Sequence, residues 1–452
     1  TGDTGDTGDT GDTGDTGDDE PTDRVFIVSP DHPSASDDND GITLPFATLE
    51  RGLRDLSPGD TLLIEAAATP YRADADSEDG TPNGFILTRS GTAEAPITIA
   101  GNGATPVIDQ GRSAQDADDP TVGLLLDCVS HVHISHLEIR HANDAGITTS
   151  LGGCSSTGIT IQHTHIHHVY GLDAVGGIRL ANSSEAVVRE NLIHDIYTQQ
   201  SPSAPLPAST TPVNNVIIEN NDVRNADAGV TLRTGGTEIS DVIVHHNHFD
   251  DLGQGVHLRS DSATTGWIER IDVFNNLVEG SEVALAAELD RSTSQSRDVS
   301  FYNNTVVEPT GVGLRVGGVV AFESYNNIFA RPGDDLLVTV APLSFGLMNS
   351  ITYSDHNLMW QGDGPAWTLD LGGPSAHRFV GHDNFKAASS VHAHPELLTD
   401  PEIATLWADP EFADEATGDF RALSPATMGT GRFGDYIGAL HDGEPVGVTP
   451  LP

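Results

Sequence analysis

One phrase recurs along the middle of the chain: V-x-[IV]-x-x-N-x-[IV], then a few polar residues, then G-V-x-L-R. It reads AVVRENLI from Ala186, VIIENNDV from Val216, VIVHHNHF from Val242, IDVFNNLV from Ile271, VSFYNNTV from Val299 and FESYNNIF from Phe322. The asparagines in register are Asn191, Asn221, Asn247, Asn276, Asn304 and Asn327, at steps of 30, 26, 29, 28 and 23 residues. Two degenerate copies precede them, VHISHLEI from Val132 and ITIQHTHI from Ile159. Short alternating strands repeating at this length stack as coils of a parallel β-solenoid. Crossovers between its parallel strands are right-handed. The expected fold class is therefore all-β, a right-handed parallel β-helix.

Within a coil, the first strand buries the apolar positions of V-x-[IV]. Asparagine then turns the chain, because it tolerates left-handed backbone and bonds neighbouring peptide groups. The second strand buries the apolar pair of G-V-x-L: Ile178/Leu180, Val230/Leu232, Val256/Leu258, Val283/Leu285 and Val312/Leu314. The chain divides into a linker (1–23), an amino-terminal cap with the first coils (24–110), the helical core (111–362) and a carboxy-terminal capping segment (363–452). Residues 198–213 interrupt one coil with a Pro/Ser-rich stretch, long enough to wall a groove.

Charge narrows the partners. The 452 residues carry 67 acids against 21 basic residues, a formal net charge of −46. Such a field repels nucleic acid and anionic membrane surfaces, so an anionic substrate needs a local basic exception. No apolar run is long enough to span a bilayer. Residues 1–18 are six copies of Thr-Gly-Asp, which have nothing to bury and repel one another. This is expected to be an extended tether. A mature secreted or lipid-anchored protein whose leader has been removed would begin this way. The two cysteines, Cys128 and Cys154, stand about one repeat apart. Neighbouring coils lie ~4.8 Å apart, within disulfide reach. A bridge would suit an oxidising compartment, and two buried thiols are the alternative.

The segment RVFIVSP…PFATLERGLRDLSPGDTLLIEAA (24–66) combines a strand, an acidic loop, a short amphipathic helix, an SPGD turn and a second strand. It resembles the opening segment of secreted right-handed β-helix proteins of the pectate-lyase-like superfamily. Trp407 to Leu440 resembles the closing segment of many of them, and the Thr-Gly-Asp run resembles the linkers of bacterial surface lipoproteins. The resemblance implies a secreted or surface-anchored bacterial protein whose sheet groove holds polysaccharide. The superfamily hosts lyases, hydrolases, epimerases, esterases and adhesins, so fold alone does not select a reaction.

Outward positions of the second strand supply the first candidate site. Stacking the repeats predicts one column of Thr148, Arg179, Thr231, His257, Ala284 and Gly313. A second holds Ser150, Ala181, Arg233, Arg259, Ala286 and Arg315. Arg233 and Arg259 become ladder neighbours, an unfavourable pairing that a bound anion would relieve. Pairing with Asp261 and Glu288 is the structural alternative. A polyuronate lyase must neutralise the carboxylate, remove the C5 proton and expel the leaving oxygen. Alginate-lyase and chondroitinase-like members use a Lys/Arg pair with Ca²⁺, which does not carry over, because the single lysine, Lys386, lies beyond the recognisable coils. The pectin-hydrolase and alginate-epimerase signatures are also missing. The base role then falls to His257 or an arginine, with Arg233, Arg259 and Arg179 neutralising substrate and Arg315 and Glu288 beside them.

Further constellations follow the same stacking. His141, His168 and Asp195 recur every 27 residues, with Arg140, His167 and His194 alongside and His163 and His165 nearby. Stacked imidazoles and a carboxylate could ligate a transition metal or position a base; solvated turn histidines are the alternative. His245, Phe274, Tyr302 and Tyr325 form an aromatic column, either a sugar platform contributed by Tyr302 and Tyr325 or core under a covering loop. The acid runs Asp37–Asp40 and Asp74–Asp79 are candidate Ca²⁺ loops but complete no standard signature. The composite reading is a monomeric, extracellular β-helix acting on acidic polysaccharide, leaning to a lyase. The alternative is a non-catalytic glycan-binding or adhesion module.

Overall fold

Coil upon coil, the repeats form parallel ladders. A computed structural model describes residues 23–73, 83–113, 121–149, 154–171, 175–198, 213–234, 237–260, 266–288, 295–317, 319–331, 335–339, 350–360, 367–369, 377–379, 405–434 and 436–439. The Thr-Gly-Asp tether, the Asp74–Asp79 run, Ser150, Asp261, Lys386 and nearly all of the 198–213 stretch lie outside them.

A 13-stranded sheet runs from Val25–Val28 through Ser183–Arg189 and Val213–Glu219 to Ser350–Asp355. A 14-stranded sheet forms the second face, and a four-stranded sheet, Asn83–Leu87 to Gly176–Arg179, forms the third face of the early coils. In later coils the strands Asp222–Thr234 and His248–Ser260 continue from the second face into the G-V-x-L segment. All these pairings are parallel, and the small Phe412–Asp414/Asp419–Ala422 ribbon is antiparallel. V-x-[IV] residues interleave inside: Val216, Val242, Ile271, Val299 and Phe322 share one buried row. Glycine of G-V-x-L serves close approach, since a Cβ on Gly229 would stand 2.4 Å from the Phe249 ring.

The turn between the first two faces divides labour between adjacent residues. The first of each pair takes left-handed backbone: Asn220, His246, Asn275, Asn303, Asn326 and His356 have φ between 53° and 57°. The second is wholly buried and stacks. Nδ2 of Asn191 donates to Oδ1 of Asn221 at 3.0 Å, and the chain of amides continues through Asn247, Asn276, Asn304 and Asn327 to Asn357. Each Oδ1 also accepts the backbone N–H of the preceding rung, as Asn247 does from Asn221 at 3.0 Å. Thr164 begins the ladder on Oδ1 of Asn191, and Thr405 ends it on the N–H of Asn357. Asn357 is a rung the repeat reading missed, because its strand (YSDHN) departs from V-x-[IV].

Both ends are closed. The helix Leu49–Arg54 is capped by Thr48 and buries Leu49 and Leu53 against the first coil. Asp60 of the SPGD turn is fully buried and pairs with Arg24 at 2.5 Å. At the far end Phe420, Ile437 and Ala439 are buried, and the N–H of Ala439 donates to Thr305 at 2.9 Å. Cys128 and Cys154 are bridged, with Cα atoms 5.5 Å apart.

Removing one rung leaves several buried groups unmatched at about 1–3 kcal/mol each. Asn247→Ala is therefore expected to destabilise the fold by about 3 kcal/mol or more, read as a shift in urea midpoint. Asn220→Gly, which keeps the left-handed turn, should move it by less than about 1 kcal/mol. Equal effects would show that the amides do not hold the coils.

Candidate functional site

On the outward face of the second sheet, seven coils in a row place a titratable side chain at one register position. The column is Asp109, Arg140, His167, His194, Arg224, Asp250 and Glu279, and above Glu279 it becomes apolar with Val307 and Ala330. A parallel column beside it holds Glu138, His165, Leu192, Asp222 and His248. The lower end is tightly wired. Arg140 donates from Nε to Asp109 at 2.8 Å and from Nη1 to Glu138 at 2.8 Å. Nδ1 of His141 lies 3.0 Å from Oδ1 of Asp109, and the N–H of Gly111 donates to the same oxygen at 2.8 Å. Burial pushes the Asp109 carboxyl upward, but the bonds from Arg140, His141 and Gly111 outweigh it and hold the group below the ordinary carboxylate range. Asp109 is thus an anion that orients His141.

In the middle of the column the imidazoles crowd. His167 and His194 stack at 5.0 Å, His165 and His167 at 4.4 Å, and Nε2 of His165 lies 2.8 Å from Nε2 of His194. Burial, and then the neighbouring histidines, push His165 and His167 down to about 4, so both are neutral at physiological pH.

Next to Asp109 opens a cleft of about 450 Å³, lined by Thr69, Pro70, Arg72, Asp109, Gly111, Arg112 and His141. Tyr71 anchors its wall by exchanging backbone hydrogen bonds with Val107 and Asp109. Arg112 is fixed by its N–H to the His141 carbonyl and by Nε to Thr121 at 3.1 Å. Gly111, at φ +61°, lies under the Arg72 guanidinium; a Cβ there would stand 2.4 Å from an Arg72 nitrogen. The cleft gathers two guanidiniums and an imidazole around one carboxylate on a strongly acidic chain. Sequence reasoning missed Arg72 and Arg112 because both sit in irregular connections outside the repeat.

Residues 122–329 match the family model described as right handed beta helix region. This stretch is a right-handed β-helix. No curated protein matches the chain. Among solved structures it is similar to pectate lyase Pel9A, at 16% identity over 71% of this chain and 78% of that one, TM-score 0.44. It is similar to a GH136 lacto-N-biosidase from Eubacterium ramulus, at 15% identity over 78% of this chain and 65% of that one, TM-score 0.47. A rhamnogalacturonan lyase gives 13% identity over 91% and 94% of the two chains, TM-score 0.46.

The β-helix brings some expected groups together and separates others. Arg233 and Arg259 are ladder neighbours, Arg233 half-buried and Arg259 exposed. The next rung differs from expectation: Arg259 pairs with Glu288, and His257 with Ala286, above which comes Arg315. The columns therefore slip by two residues, and Arg315 stands over His257 rather than over Arg259. Counting from the ladder asparagine shows why: Val256 and Leu285 each follow theirs by nine residues, whereas Val283 follows by seven. His257 is 7% exposed, a poor position for a base that must reach a polymer. Arg179 sits beside Thr148 as expected, but in the four-stranded sheet rather than on the Arg233 ladder. It is buried and forked onto Asp144 at 2.7 and 2.5 Å, a structural ion pair rather than a substrate clamp. Arg315 lies 3.7 Å from Glu282.

The expected His141, His168 and Asp195 side chains do stand next to one another, the His141 and His168 rings 5.5 Å apart, but the ligand atoms that converge are those of His168, His194 and Asp195. His141 turns to Asp109, while His168 and Asp195 come within 3.8 Å. All three have left-handed backbone, φ 52° to 57°, which takes them off the ladder. His245, Phe274, Tyr302 and Tyr325 stack at 5.0, 4.9 and 5.0 Å, as the spacing implied. At the upper end Arg432 of the closing segment lies 4.6 Å over Tyr325, so there the stack is partly a docking surface for the chain itself. Asp37 and Asp40 accept backbone N–H groups of Ala47, Thr48, Ile42 and Thr43. Those acids shape the cap loop.

The stack has a titration consequence. Burial, followed by the adjacent His246, pushes His245 down to about 4, despite Glu219 3.3 Å from its Nε2. A histidine with a depressed folded pKa binds fewer protons folded than unfolded, so its stabilising effect is lost as pH falls from ~6.5 toward about 4. The His245 ring resonance should titrate with a midpoint near 4 by NMR. A midpoint near 6.5 would show that the ring is solvated and the stack open.

Proposed function

We propose that this β-helix is carbohydrate-active and takes an acidic polysaccharide into the cleft formed by Arg72, Arg112, Asp109 and His141. The observation that carries the reading is the convergence of two guanidiniums and an Asp-oriented imidazole on a chain of net charge −46. A surface of that sign repels polyanions, so a basic cleft within it selects where one can bind. Planar guanidiniums suit carboxylates and sulfates.

The arrangement fits β-elimination. Arg72 and Arg112 would neutralise the uronate carboxylate, which acidifies the proton at C5. Asp109 accepts from Nδ1 of His141 and leaves Nε2 as the basic nitrogen to take that proton. The C5–H electron pair then forms the C4–C5 double bond as the C4–O bond breaks. The leaving oxygen takes a proton from water, the protonated His141 returns its own to the resulting hydroxide, and a new chain end carries the unsaturated sugar. The Arg233/Arg259 pair, four and five coils along from Asp109, would contact further sugar units.

The chain should therefore release unsaturated, ultraviolet-absorbing product from pectate, alginate or a glycosaminoglycan. His141→Ala should lower kcat at least ~100-fold. Arg72→Ala and Arg112→Ala should each weaken binding about tenfold or more. Gly111→Ala should do so by displacing Arg72. No product from any acidic glycan, with or without Ca²⁺, would remove the lyase assignment. Retained binding that fell on Arg72→Ala would leave a glycan-binding module, and absence of binding would end the carbohydrate reading.

A further inference from the structure

The crowded imidazoles in the middle of the titratable column have no role in the cleft chemistry. His165 and His167 alternate on one strand and point outward with the buried Ile166 between them. His194 faces His167 from the next coil. One nitrogen from each of His165, His167 and His194 lies within 4.8 Å of the others. We infer that these three histidines form a binding site for a first-row transition ion such as Zn²⁺. The inference stands apart from the carbohydrate reading.

The outer contacts prepare the nitrogens for this. Nδ1 of His194 lies 2.8 Å from Oδ2 of Asp195, so the carboxylate accepts a hydrogen bond from Nδ1–H and Nε2 keeps its lone pair. A carboxylate behind a histidine is the arrangement that orients metal-ligating imidazoles and raises their basicity. That Nε2 faces Nε2 of His165 at 2.8 Å. Two lone pairs cannot meet at that distance. Either His165 donates a proton across it or a cation takes its place. Two Zn–N bonds of ~2.0 Å at a tetrahedral angle place their nitrogens ~3.3 Å apart, a rearrangement of about half an ångström. His167 contributes from the stacked position, with Nε2 3.4 Å from Oε1 of Glu138 and Nδ1 2.7 Å from Nδ1 of His168. Glu138, which Arg140 also holds, or a water would complete four-coordination.

Donor type selects the ion. Three imidazoles suit zinc, copper, nickel and cobalt, whereas Ca²⁺ requires a shell of oxygens. The set differs from the one that 27-residue spacing suggests. It takes His167 and His194 from the neighbouring column and adds His165, which lies two positions before His167 on the same strand, while His141 bonds Asp109.

The test uses the whole chain, tag-free and stripped by chelator, titrated with Zn²⁺ by calorimetry and with Co²⁺ by visible absorption. One ion per chain, with micromolar or tighter dissociation and a tetrahedral Co²⁺ spectrum, is expected. His165→Ala and His194→Ala should each weaken binding at least ~100-fold, more than the 10–100-fold typical of an outer partner. Asp195→Asn should fall within that outer-partner range, and His32→Ala should change nothing. Zn²⁺ should raise the melting temperature of the native chain and not of His194→Ala. His165→Asn, with circular dichroism, separates ligand loss from misfolding. Absence of stoichiometric binding overturns the inference. So does loss on His168→Ala with retention on His165→Ala, which would mean a different ligand set.

Discussion

A buried amide that must donate and accept along one axis holds this molecule in register. Each ladder asparagine is sealed from water, so its two donors and its acceptor need partners in adjoining coils. The partner is the same residue one coil away, which sets neighbouring coils in one alignment. A slip of one residue would leave four or more polar groups unmatched and turn the V-x-[IV] row outward. Because the ladder sits at the turn, strands on both sides inherit its register. The aligned column from His167 to Glu279 is a consequence.

That inheritance weakens with distance along the coil. The second sheet begins immediately after the ladder, and its column of Arg140, His167 and His194 matches the count from sequence. The G-V-x-L strands lie farther on, after segments of unequal length, and there the alignment slips between Arg259 and Glu288. A repeat constrains what lies close to its fixed point; insertions between that point and the next strand reset the count.

Electrostatics follows the same geometry. Most of the acids give the surface one sign. Where side chains stack at ~4.8 Å, each charge must be answered by its neighbours in the column. Arg140 is answered by Asp109 and Glu138, and Arg224 by Asp222 at 2.5 Å. His165 and His167 between them lose their charge instead, as burial first and neighbouring imidazoles second dictate. The molecule thus carries a band where protonation is suppressed, with a basic cleft at one end.

The amino-acid sequence by itself determined the β-helix, the one-repeat spacing of the two cysteines and the aromatic column. Each of these depends on local pattern or on spacing near the ladder, which period alone can specify. Only the tertiary structure decided which polar groups meet. It buried His257, committed Arg179 to Asp144 and bonded His141 to Asp109. It also brought Arg72 and Arg112 from irregular connections to a common cleft. Those outcomes rest on where non-repeating backbone crosses the coils and on which ion pairs a crowded column admits. Neither is written in the period of the repeat.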